Sequence, residues 1–309
     1  MAEQILVVGA ILLDSRGKPD AGLAPETSNP AQIRVTRGGT ARNVAENLGR
    51  LGADVRLLSA VGNDMMGHRL LSQTAVSGVD IELVQIIDGE NTGAYIAVLE
   101  ENGSLAVALD DVRVLRHITP GFLDRHRSLF KEADMVMMDG SLTPEAMATV
   151  VRLCEKYNKP LCADPSSARL AYKLRPFLSK LHLVVPNEGE AAELCEVDFD
   201  GPNPEASLDL ARCLVGKGVA NVVVTLANFG LDYATTHETG YIPANFSEMV
   251  DSSGTGDAVT AAIMFGMLNE LPAIEAIRLG AAAASLTLQT AETVVPGLSL
   301  DMLYDHLIV

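Results

Sequence analysis

The stretch Asp251-Ser252-Ser253-Gly254-Thr255-Gly256-Asp257 leads directly into the apolar segment 258–268. Apolar side chains recur at helical spacing in that segment, so the sequence predicts a glycine-rich turn that opens a buried helix. The unpaired N–H groups of such a helix start, together with its positive dipole end, bind anions and phosphate in particular. A carboxylate at the same point, Asp257, can take a proton from an attacking hydroxyl. An anion site beside a base favours phosphoryl transfer, although an ordinary capped helix start has the same pattern.

Composition limits the classes of function. The chain has 309 residues, enough for one large domain or two smaller ones. Its formal net charge of -17 would repel a nucleic-acid polymer, while local amides and a metal ion could still hold a small anion. No apolar run is long enough to cross a bilayer, and the N-terminus has no signal-peptide pattern. The four cysteines form no Cys-x-x-Cys pair, which indicates buried thiols in a reducing cytoplasm.

Strands and helices alternate regularly from residue 119 to residue 226, which is typical of a parallel sheet covered by helices on both faces. We therefore expect residues 1–309 to form a single α/β domain. Two segments, about 15–37 and 91–113, do not follow this alternation. The second contains Asn102-Gly103 between alternating apolar residues, a strong hairpin signal. We expect a small β-sheet from these segments, serving as a lid or a dimer surface, or else an ordinary edge hairpin.

Several polar residues follow predicted strands, at the edge where ligands of open α/β sheets bind. Asp14 comes shortly after the first predicted strand, 4–9, and is expected near its carboxyl end. The simpler interpretation is that Asp14 is a solvated residue in a turn. The later predicted strands end in Asp139, Asp164, Asn187 and Thr225.

Two further helix starts carry candidate ligands. Gly38-Gly39 opens a helix and lets a substrate approach the backbone closely. Asn43, in the first turn of that helix, offers a donor and an acceptor to hydroxyls. Asn187 and Glu190 lie one turn apart on a later helix, where they could order the water shell of Mg²⁺. A plain helix entry or an N-cap remains open as the alternative in each case.

Two segments, Gly38-Gly39-Thr40-Ala41-Arg42-Asn43-Val44-Ala45 and 251–257, resemble the two signatures of the ribokinase (PfkB) family of sugar and nucleoside kinases. The resemblance covers essentially the whole chain. It implies a ribokinase-like three-layer αβα sandwich with a mostly parallel central sheet and a small β-sheet lid. It also implies an ATP-dependent phosphotransferase with an alcohol acceptor, Mg²⁺ and K⁺ as ions, and a homodimer formed through the lid. The P-loop pattern is absent from the sequence, so a P-loop kinase is excluded.

The resemblance implies a role for each candidate residue. Asp257 would be the base, and Gly254, Thr255 and Gly256 would form the anion hole for the transferred phosphoryl group. The residues for substrate hydroxyls would be Asp14, Gly38, Gly39 and Asn43, and those for the nucleotide Asn187, Thr225 and Gly230. The metal residues would be Glu190 for Mg²⁺, and Asp251 and Ser253 for a monovalent cation.

Further stretches resemble the branch of the family that acts on pseudouridine, which implies phosphorylation of its 5′-hydroxyl. They are 28–30, 42–48, 57–62, 89–92 and 296–299. Ribose, fructose or a purine nucleoside remain open as the substrate, as does a nucleoside sensor without turnover, which would not need Asp257. An oxidoreductase is disfavoured because the third glycine of its dinucleotide motif is missing. Two positions depart from the family: Thr255 replaces the usual Ala, and Ala227-Asn228-Phe229-Gly230 replaces a more glycine-rich turn.

Overall fold

The computed structural model describes residues 4–199, 201, 203–226, 230–244 and 249–307. The turn 227–229, which departs from the family pattern, lies outside the described residues. The strands are β1 (Gln4–Val8), β2 (Leu12–Pro19), β3 (Ala31–Gly38), β4 (Asp54–Leu58), β5 (Ala60–Gly62), β6 (Val79–Asp80), β7 (Gln85–Ile87), β8 (Gly93–Leu99), β9 (Leu105–Asp111), β10 (Met135–Asp139), β11 (Leu161–Asp164), β12 (Leu183–Val184), β13 (Asn221–Thr225), β14 (Gly230–Thr235) and β15 (Thr239–Pro243).

The α-helices are α1 (Thr40–Arg50), α2 (Met65–Ala75), α3 (Pro120–Arg125), α4 (Arg127–Glu132), α5 (Pro144–Tyr157), α6 (Ala168–Ala171), α7 (Glu188–Cys195), α8 (Pro204–Gly216), α9 (Thr255–Leu268), α10 (Ala273–Leu288) and α11 (Leu300–Asp305). Two 3₁₀ helices cover Arg113–His117 and Tyr172–Lys180. None of the helices in the described part of the chain is long and apolar enough to span a membrane.

Nine strands form the central sheet, in the order β15-β14-β13-β12-β11-β10-β1-β4-β6. In this order, neighbouring strands from β13 through β12, β11, β10, β1 and β4 to β6 pair in parallel. Strands β14 and β15 add an antiparallel hairpin beside β13, at one edge of the sheet. Strand β1 lies between β4 and β10, with Val7 beside both Leu57 and Met137. The sheet thus grows in both directions from β1. A crevice at the carboxyl end of β1 follows from this topology.

The central sheet has a hydrophobic core on each face. Leu6 and Val8 of β1 belong to the core that includes residues of α5 and α8, whereas Ile5 and Val7 belong to the core that includes residues of α1 and α9. Successive strand residues point to opposite faces, so a strand buried on both sides lies between two helix layers. The predicted three-layer α/β architecture with a mostly parallel sheet is confirmed.

A separate four-stranded sheet has the order β3-β2-β8-β9. Strand β2 pairs antiparallel with β3 and parallel with β8, and β8 and β9 form the hairpin around Asn102-Gly103. Asp14 and Arg16 lie on its inner face, toward the carboxyl edge of the central sheet. The alternate residues form the outer face, which exposes Ile33, Val35, Ile96, Val107 and Leu109.

The position of Asp14 differs from the expectation that it lies near the carboxyl end of the first strand. Strand β1 ends at Val8, and Asp14 lies within β2 of the small sheet, opposite Thr36 and Tyr95. The chain leaves the central sheet after Gly9, a step that the apolar sequence around residue 10 does not reveal. Asp14 therefore reaches the crevice from the small sheet.

Three other elements differ from the sequence pattern. The apolar run 81–87 predicts one strand, but the structure has the short strand β6 just before it and β7 at its end. The sequence pattern also predicts one helix over 120–131, but the structure interrupts it at His126, between α3 and α4. The hairpin of β14 and β15 is not predicted at all, because the regular alternation of strands and helices ends at β13.

Candidate active site

A cavity of about 740 Å³ lies between the small sheet and the carboxyl edge of the central sheet. It brings together the two signature segments, which are far apart in sequence. Of the predicted site residues, Gly38 and Asp251 do not line the cavity, although each is adjacent to a residue that does. The others in its wall are Asp14, Gly39, Asn43, Asn187, Glu190, Thr225, Gly230, Ser253, Gly254, Thr255, Gly256 and Asp257.

The glycine-rich turn before α9 leaves open space at the helix start. Gly254 is the N-cap residue with φ of 74°, and a Cβ on it would overlap the carbonyl oxygen of Thr293. Glycine is therefore required there. A Cβ on Gly256 would instead meet no protein atom within 4 Å. First-turn N–H groups have no partner within their helix, so this turn can offer them to an anion in the cavity.

Asp257 lies in the first turn of α9 and contacts the start of α1. Nδ2 of Asn43 donates a hydrogen bond of 2.6 Å to Oδ2 of Asp257. Burial raises the pKa of Asp257 well above its usual range, and the charge of Asp164 adds to that effect, while the bond from Asn43 opposes it. A raised pKa makes the carboxylate a stronger base for a hydroxyl proton. The contact joins the two signature segments at the glycine-rich turn.

Arg42, which the sequence analysis did not select, holds Asn43 in place. Its side chain is fully buried. The guanidinium pairs with Glu46, donates to Oδ1 of Asn43, and donates to the carbonyl oxygen of Gly38 at 2.9 Å. A buried charge needs a partner, and Glu46 supplies it from the next turn of α1. The i,i+4 spacing of Arg42 and Glu46 in this helix is the sequence signal that could have identified the pair.

The two glycines before α1 allow close contact with the chain around Asp14. A Cβ on Gly38 would overlap the carboxylate of Asp14, and a Cβ on Gly39 would overlap the carbonyl oxygen of Ala10. Burial raises the pKa of Asp14 to about 6, against the lowering effect of the Arg16 and Arg42 charges. Asp14 is therefore ionised at neutral pH, and its oxygens can accept hydrogen bonds from hydroxyls.

The pKa of Asp14 leads to a prediction for acceptor binding. An ionised carboxylate should bind the substrate hydroxyls more tightly than an amide, by about ten- to a hundredfold in Kd. Because Asp14 takes up a proton as the pH falls through about 6, wild type should lose this advantage over Asp14→Asn below that pH. The measurement is nucleoside Kd for both proteins across pH, without nucleotide. A constant ratio of the two Kd values would contradict the assignment of Asp14.

Asn187 and Glu190 form a reciprocal cap at the start of α7. Oδ1 of Asn187 accepts from the backbone N–H of Glu190 at 2.9 Å, and Oε2 of Glu190 accepts from the backbone N–H of Asn187 at 2.9 Å. The capping alternative is therefore present, yet Glu190 is buried in the cavity wall and not solvated. Burial raises the pKa of Glu190 to about 7, and the Asp257 charge contributes to the rise.

Acidic side chains accumulate on this side of the cavity. Burial raises the pKa of Asp164 well above its usual range, and the charge of Glu190 adds to it. Asp164, Glu190 and Asp257 thus interact with one another as like charges. In the described ranges, no three acidic, His or Cys side chains are arranged to enclose a metal ion. A divalent cation at this site would therefore share its ligands with water and phosphate, which suits Mg²⁺.

Glu190 leads to a prediction for stability. A carboxylate whose pKa rises from 4.5 to about 7 on folding binds a proton more tightly in the folded state. Stability from this group is present below pH 4.5 and is lost as the pH rises through about 7. Glu190→Gln should therefore raise the free energy of unfolding of the ligand-free protein at pH 8 by about 1 to 3 kcal/mol. The glutamine can still cap Asn187, because either side chain serves in a capping box.

Denaturant unfolding at pH 5 and at pH 8 would test this (two conditions on either side of a pKa near 7). The increase in the free energy of unfolding caused by Glu190→Gln should be larger at pH 8 than at pH 5. Glu145→Gln, at an exposed first-turn glutamate of α5, is the matched control and should give no such gain. Equal effects at both pH values would show that burial does not raise the pKa of Glu190.

Thr225 and Gly230 also line the cavity. Thr225 ends β13 and bridges to Asn187 on the neighbouring segment. Gly230 opens β14 with φ of 116°, and its carbonyl oxygen accepts from the N–H of Leu226 at 2.9 Å. Asp139, in contrast, has a structural role, since it accepts backbone N–H groups from Ala10, Ala41 and Ser141.

Asp251 already has a cationic partner. Its Oδ1 lies 2.9 Å from Nη1 of Arg16, and the same oxygen accepts from the backbone N–H and the hydroxyl of Ser253. Oδ1 of Asp251 is thus occupied by protein donors, and Arg16 matches the charge of the carboxylate that the resemblance assigns to a monovalent cation. The positive charge of Arg16 beside Asp251 disfavours a second cation, K⁺, at the place that the resemblance implies for it.

Known proteins resemble this chain along its length. The family model for "pfkB family carbohydrate kinase" matches residues 2–298. Pseudouridine kinase of Escherichia coli (strain K12) is 31% identical, over 96% of this chain and 94% of that protein. Guanosine-inosine kinase of Exiguobacterium acetylicum is 26% identical, over 94% and 95%. The structure of Arabidopsis thaliana ribokinase complexed with ribose and ATP has a TM-score of 0.86 at 20% identity and covers 100% of both chains, which confirms the ribokinase-like fold.

Proposed function

Because the chain belongs to the pfkB family of carbohydrate kinases, it is a phosphotransferase that acts on a hydroxyl group, and we propose that it transfers the γ-phosphoryl group of ATP to the 5′-hydroxyl of pseudouridine. The observation that carries the proposal is the 2.6 Å contact of Asn43 with Asp257. It places a group suited to sugar hydroxyls beside a base, next to an anion-binding turn.

The geometry supports a direct in-line transfer. Asp14 and Asn43 hold the hydroxyls of the acceptor, and Asp257 takes the proton of the attacking hydroxyl. The N–H groups of the turn 254–256 stabilise the charge on the transferred phosphoryl group. Asp164, Glu190 and, through water, Asn187 would hold Mg²⁺, which supplies positive charge at the phosphates. Phosphoryl transfer depends mostly on such positioning and charge stabilisation.

The choice of pseudouridine has two supports. Five stretches of sequence resemble the pseudouridine branch of the family, and one of them, 42–48, includes Asn43 and the buried pair of Arg42 with Glu46. A curated pseudouridine kinase is 31% identical over nearly the whole chain. We assign recognition of the base to the small sheet, which contributes Tyr95 and Asp110 to the cavity wall.

ADP release with ATP and Mg²⁺ tests the proposal over pseudouridine, uridine, cytidine, adenosine, inosine, ribose and fructose. We expect kcat/KM for pseudouridine to exceed that for each other compound by at least about tenfold, since a site that pairs with a substrate's polar groups rejects analogues strongly. Turnover of another compound in place of pseudouridine would support the kinase activity but show that the proposed acceptor is wrong. Binding of pseudouridine without any turnover would support a sensor and overturn the kinase.

The purine nucleoside alternative has a specific observation in its favour. Guanosine-inosine kinase is 26% identical to this chain over 94% of its length. A cavity of about 740 Å³ is large enough for a purine nucleoside as well. Inosine in the substrate panel separates the two alternatives.

We propose further that the chain is a single domain located in the cytoplasm, and that its small sheet is both a lid and a dimer surface. The inner face covers the cavity, while the outer face exposes Val35, Ile96 and Leu109, which are 53%, 48% and 67% exposed. These residues lie in one row across the strands, together with Ser15. An apolar row on an exposed sheet is suited to burial against a second copy of itself.

The dimer leads to a prediction for solution mass. Val35→Lys with Leu109→Lys should convert the dimer to a monomer, because each introduced charge would have to be buried at the interface. Sedimentation velocity measures the mass. Val76→Lys, at an apolar residue 88% exposed on the end of α2, is the control and should remain dimeric. A wild-type protein that is monomeric at high concentration would contradict this proposal.

A further inference from the structure

Arg16 connects the small sheet to the turn before α9. It lies on the inner face of β2 and reaches Asp251 with an Nη1 to Oδ1 distance of 2.9 Å. Both side chains are mostly buried, with 23% and 18% of their surface exposed. An ion pair shielded in this way is screened less by salt than a surface pair. Through this ion pair, β2 makes a direct charged contact with the segment that precedes the anion-binding turn.

Asp251 passes this contact on to the turn. The same Oδ1 accepts a 2.9 Å hydrogen bond from the backbone N–H of Ser253 and a second bond from its hydroxyl. Ser253 is directly followed by Gly254, the N-cap of α9. The guanidinium therefore fixes the carboxylate that in turn fixes the start of the anion-binding turn.

The charges around Arg16 explain why a cation is needed at this point. Its positive charge lies near Asp14 as well as Asp251, and these two carboxylates repel each other. Without a cation, two acidic side chains would face each other beside a phosphate site. A guanidinium is well suited to this position, because its fork of donors matches carboxylates and remains charged at any relevant pH.

We propose that Arg16 is a positioning residue that supplies, from within the chain, the positive charge that family resemblance would assign to K⁺ at Asp251 and Ser253. Closure of the small sheet then both covers the acceptor and orders the anion-binding turn. Catalysis is consequently independent of monovalent cations. This inference depends on the proposed kinase activity but not on the identity of the acceptor.

The test compares activity in KCl and in choline chloride at equal ionic strength. For wild type we expect kcat to differ by less than about twofold between the two salts, because K⁺ cannot compete with a tethered guanidinium. Arg16→Ala should lose about tenfold or more in kcat in choline chloride, since it breaks a charge-assisted contact at the turn. KCl should restore much of that loss, because K⁺ can now enter the space left by the side chain.

Two variants serve as controls. Arg16→Lys keeps the charge and should retain most of the activity in either salt. Arg34→Ala, at the residue opposite Arg16 on β3, removes an exposed guanidinium that donates to the carbonyl oxygen of Ala291, and it should behave as wild type. A general effect of lost arginine on folding would appear in both alanine variants.

Three results would overturn the proposal: strong activation of wild type by K⁺, full activity of Arg16→Ala without K⁺, or a loss in that variant that K⁺ does not restore. Thermal unfolding without substrates gives a second readout, in which K⁺ should raise the Tm of Arg16→Ala and leave that of wild type unchanged. This readout remains valid if no acceptor is phosphorylated, so failure of the proposed function can be distinguished from failure of the Arg16 role.

Discussion

Replacing Asp257 with Asn is expected to lower kcat by about two to four orders of magnitude and to leave acceptor binding nearly unchanged. The amide has the size of the carboxylate and can still bond to Asn43, but it cannot accept the proton of the attacking hydroxyl. The substitution also removes a buried charge, so the folded protein should not be destabilised. Single-turnover rates and nucleoside Kd for the same preparation separate chemistry from binding.

A matched control for this variant is Asp209→Asn on α8, where an exposed aspartate pairs with Arg212. It should retain wild-type rates. If Asp257→Asn kept near-normal kcat, the base would have to be another group, and Asp14 and Asp164 would be the carboxylates to test. If it lost acceptor binding as well, Asp257 would be a ligand for the substrate and not its base.

Gly256→Ala should reduce kcat by about a hundredfold or more, which is the effect of disabling one group of an oxyanion site. A Cβ at this position meets no protein atom within 4 Å, so the methyl group can be accommodated by the fold. It would instead occupy the space where the transferred phosphoryl group approaches the turn. The Tm should be unchanged or slightly higher, because alanine favours a helix more than glycine does.

Gly216→Ala is the matched control, since a Cβ there also meets no protein atom within 4 Å and the residue ends α8, away from the cavity. Gly254→Ala is not informative in the same way. Its φ of 74° and the carbonyl oxygen of Thr293 would destabilise the variant whatever its role in catalysis. Unchanged kcat in Gly256→Ala would exclude the turn as the anion site.

Much of the fold could be predicted from the sequence because its repeated unit, a strand followed by a helix, is marked by apolar patterns over short stretches of chain. Local apolar patterns predict strands over 135–139 and 161–164 and helices over 144–157 and 188–195, and the structure has these elements with the same bounds. Each has a continuous or helical apolar pattern and a clear start, such as the cap of Thr143 on α5. The two signature segments likewise occupy the helix starts where the sequence predicts them.

The remaining features depend on contacts between distant segments. Asp14 reaches the cavity because β2 leaves the central sheet and pairs with β3 and β8, and its neighbours in sequence do not reveal that pairing. The pair of Arg16 with Asp251 joins residues 235 positions apart. The role of Arg42 likewise depends on Thr293, whose hydroxyl lies 3.3 Å from its guanidinium. The sequence shows each of these residues, but it does not show which distant residue each one contacts.

The most direct test of the account is a competition between pseudouridine and uridine, offered together at equal concentration with ATP and Mg²⁺. The two nucleosides have the same mass, so their products must be separated by chromatography and the phosphate position read from phosphorus–proton coupling in the NMR spectrum. We predict pseudouridine 5′-phosphate as the main product by a ratio of at least about ten to one. Equal amounts of both monophosphates, an excess of uridine 5′-phosphate, or phosphate on another hydroxyl would contradict the proposed function.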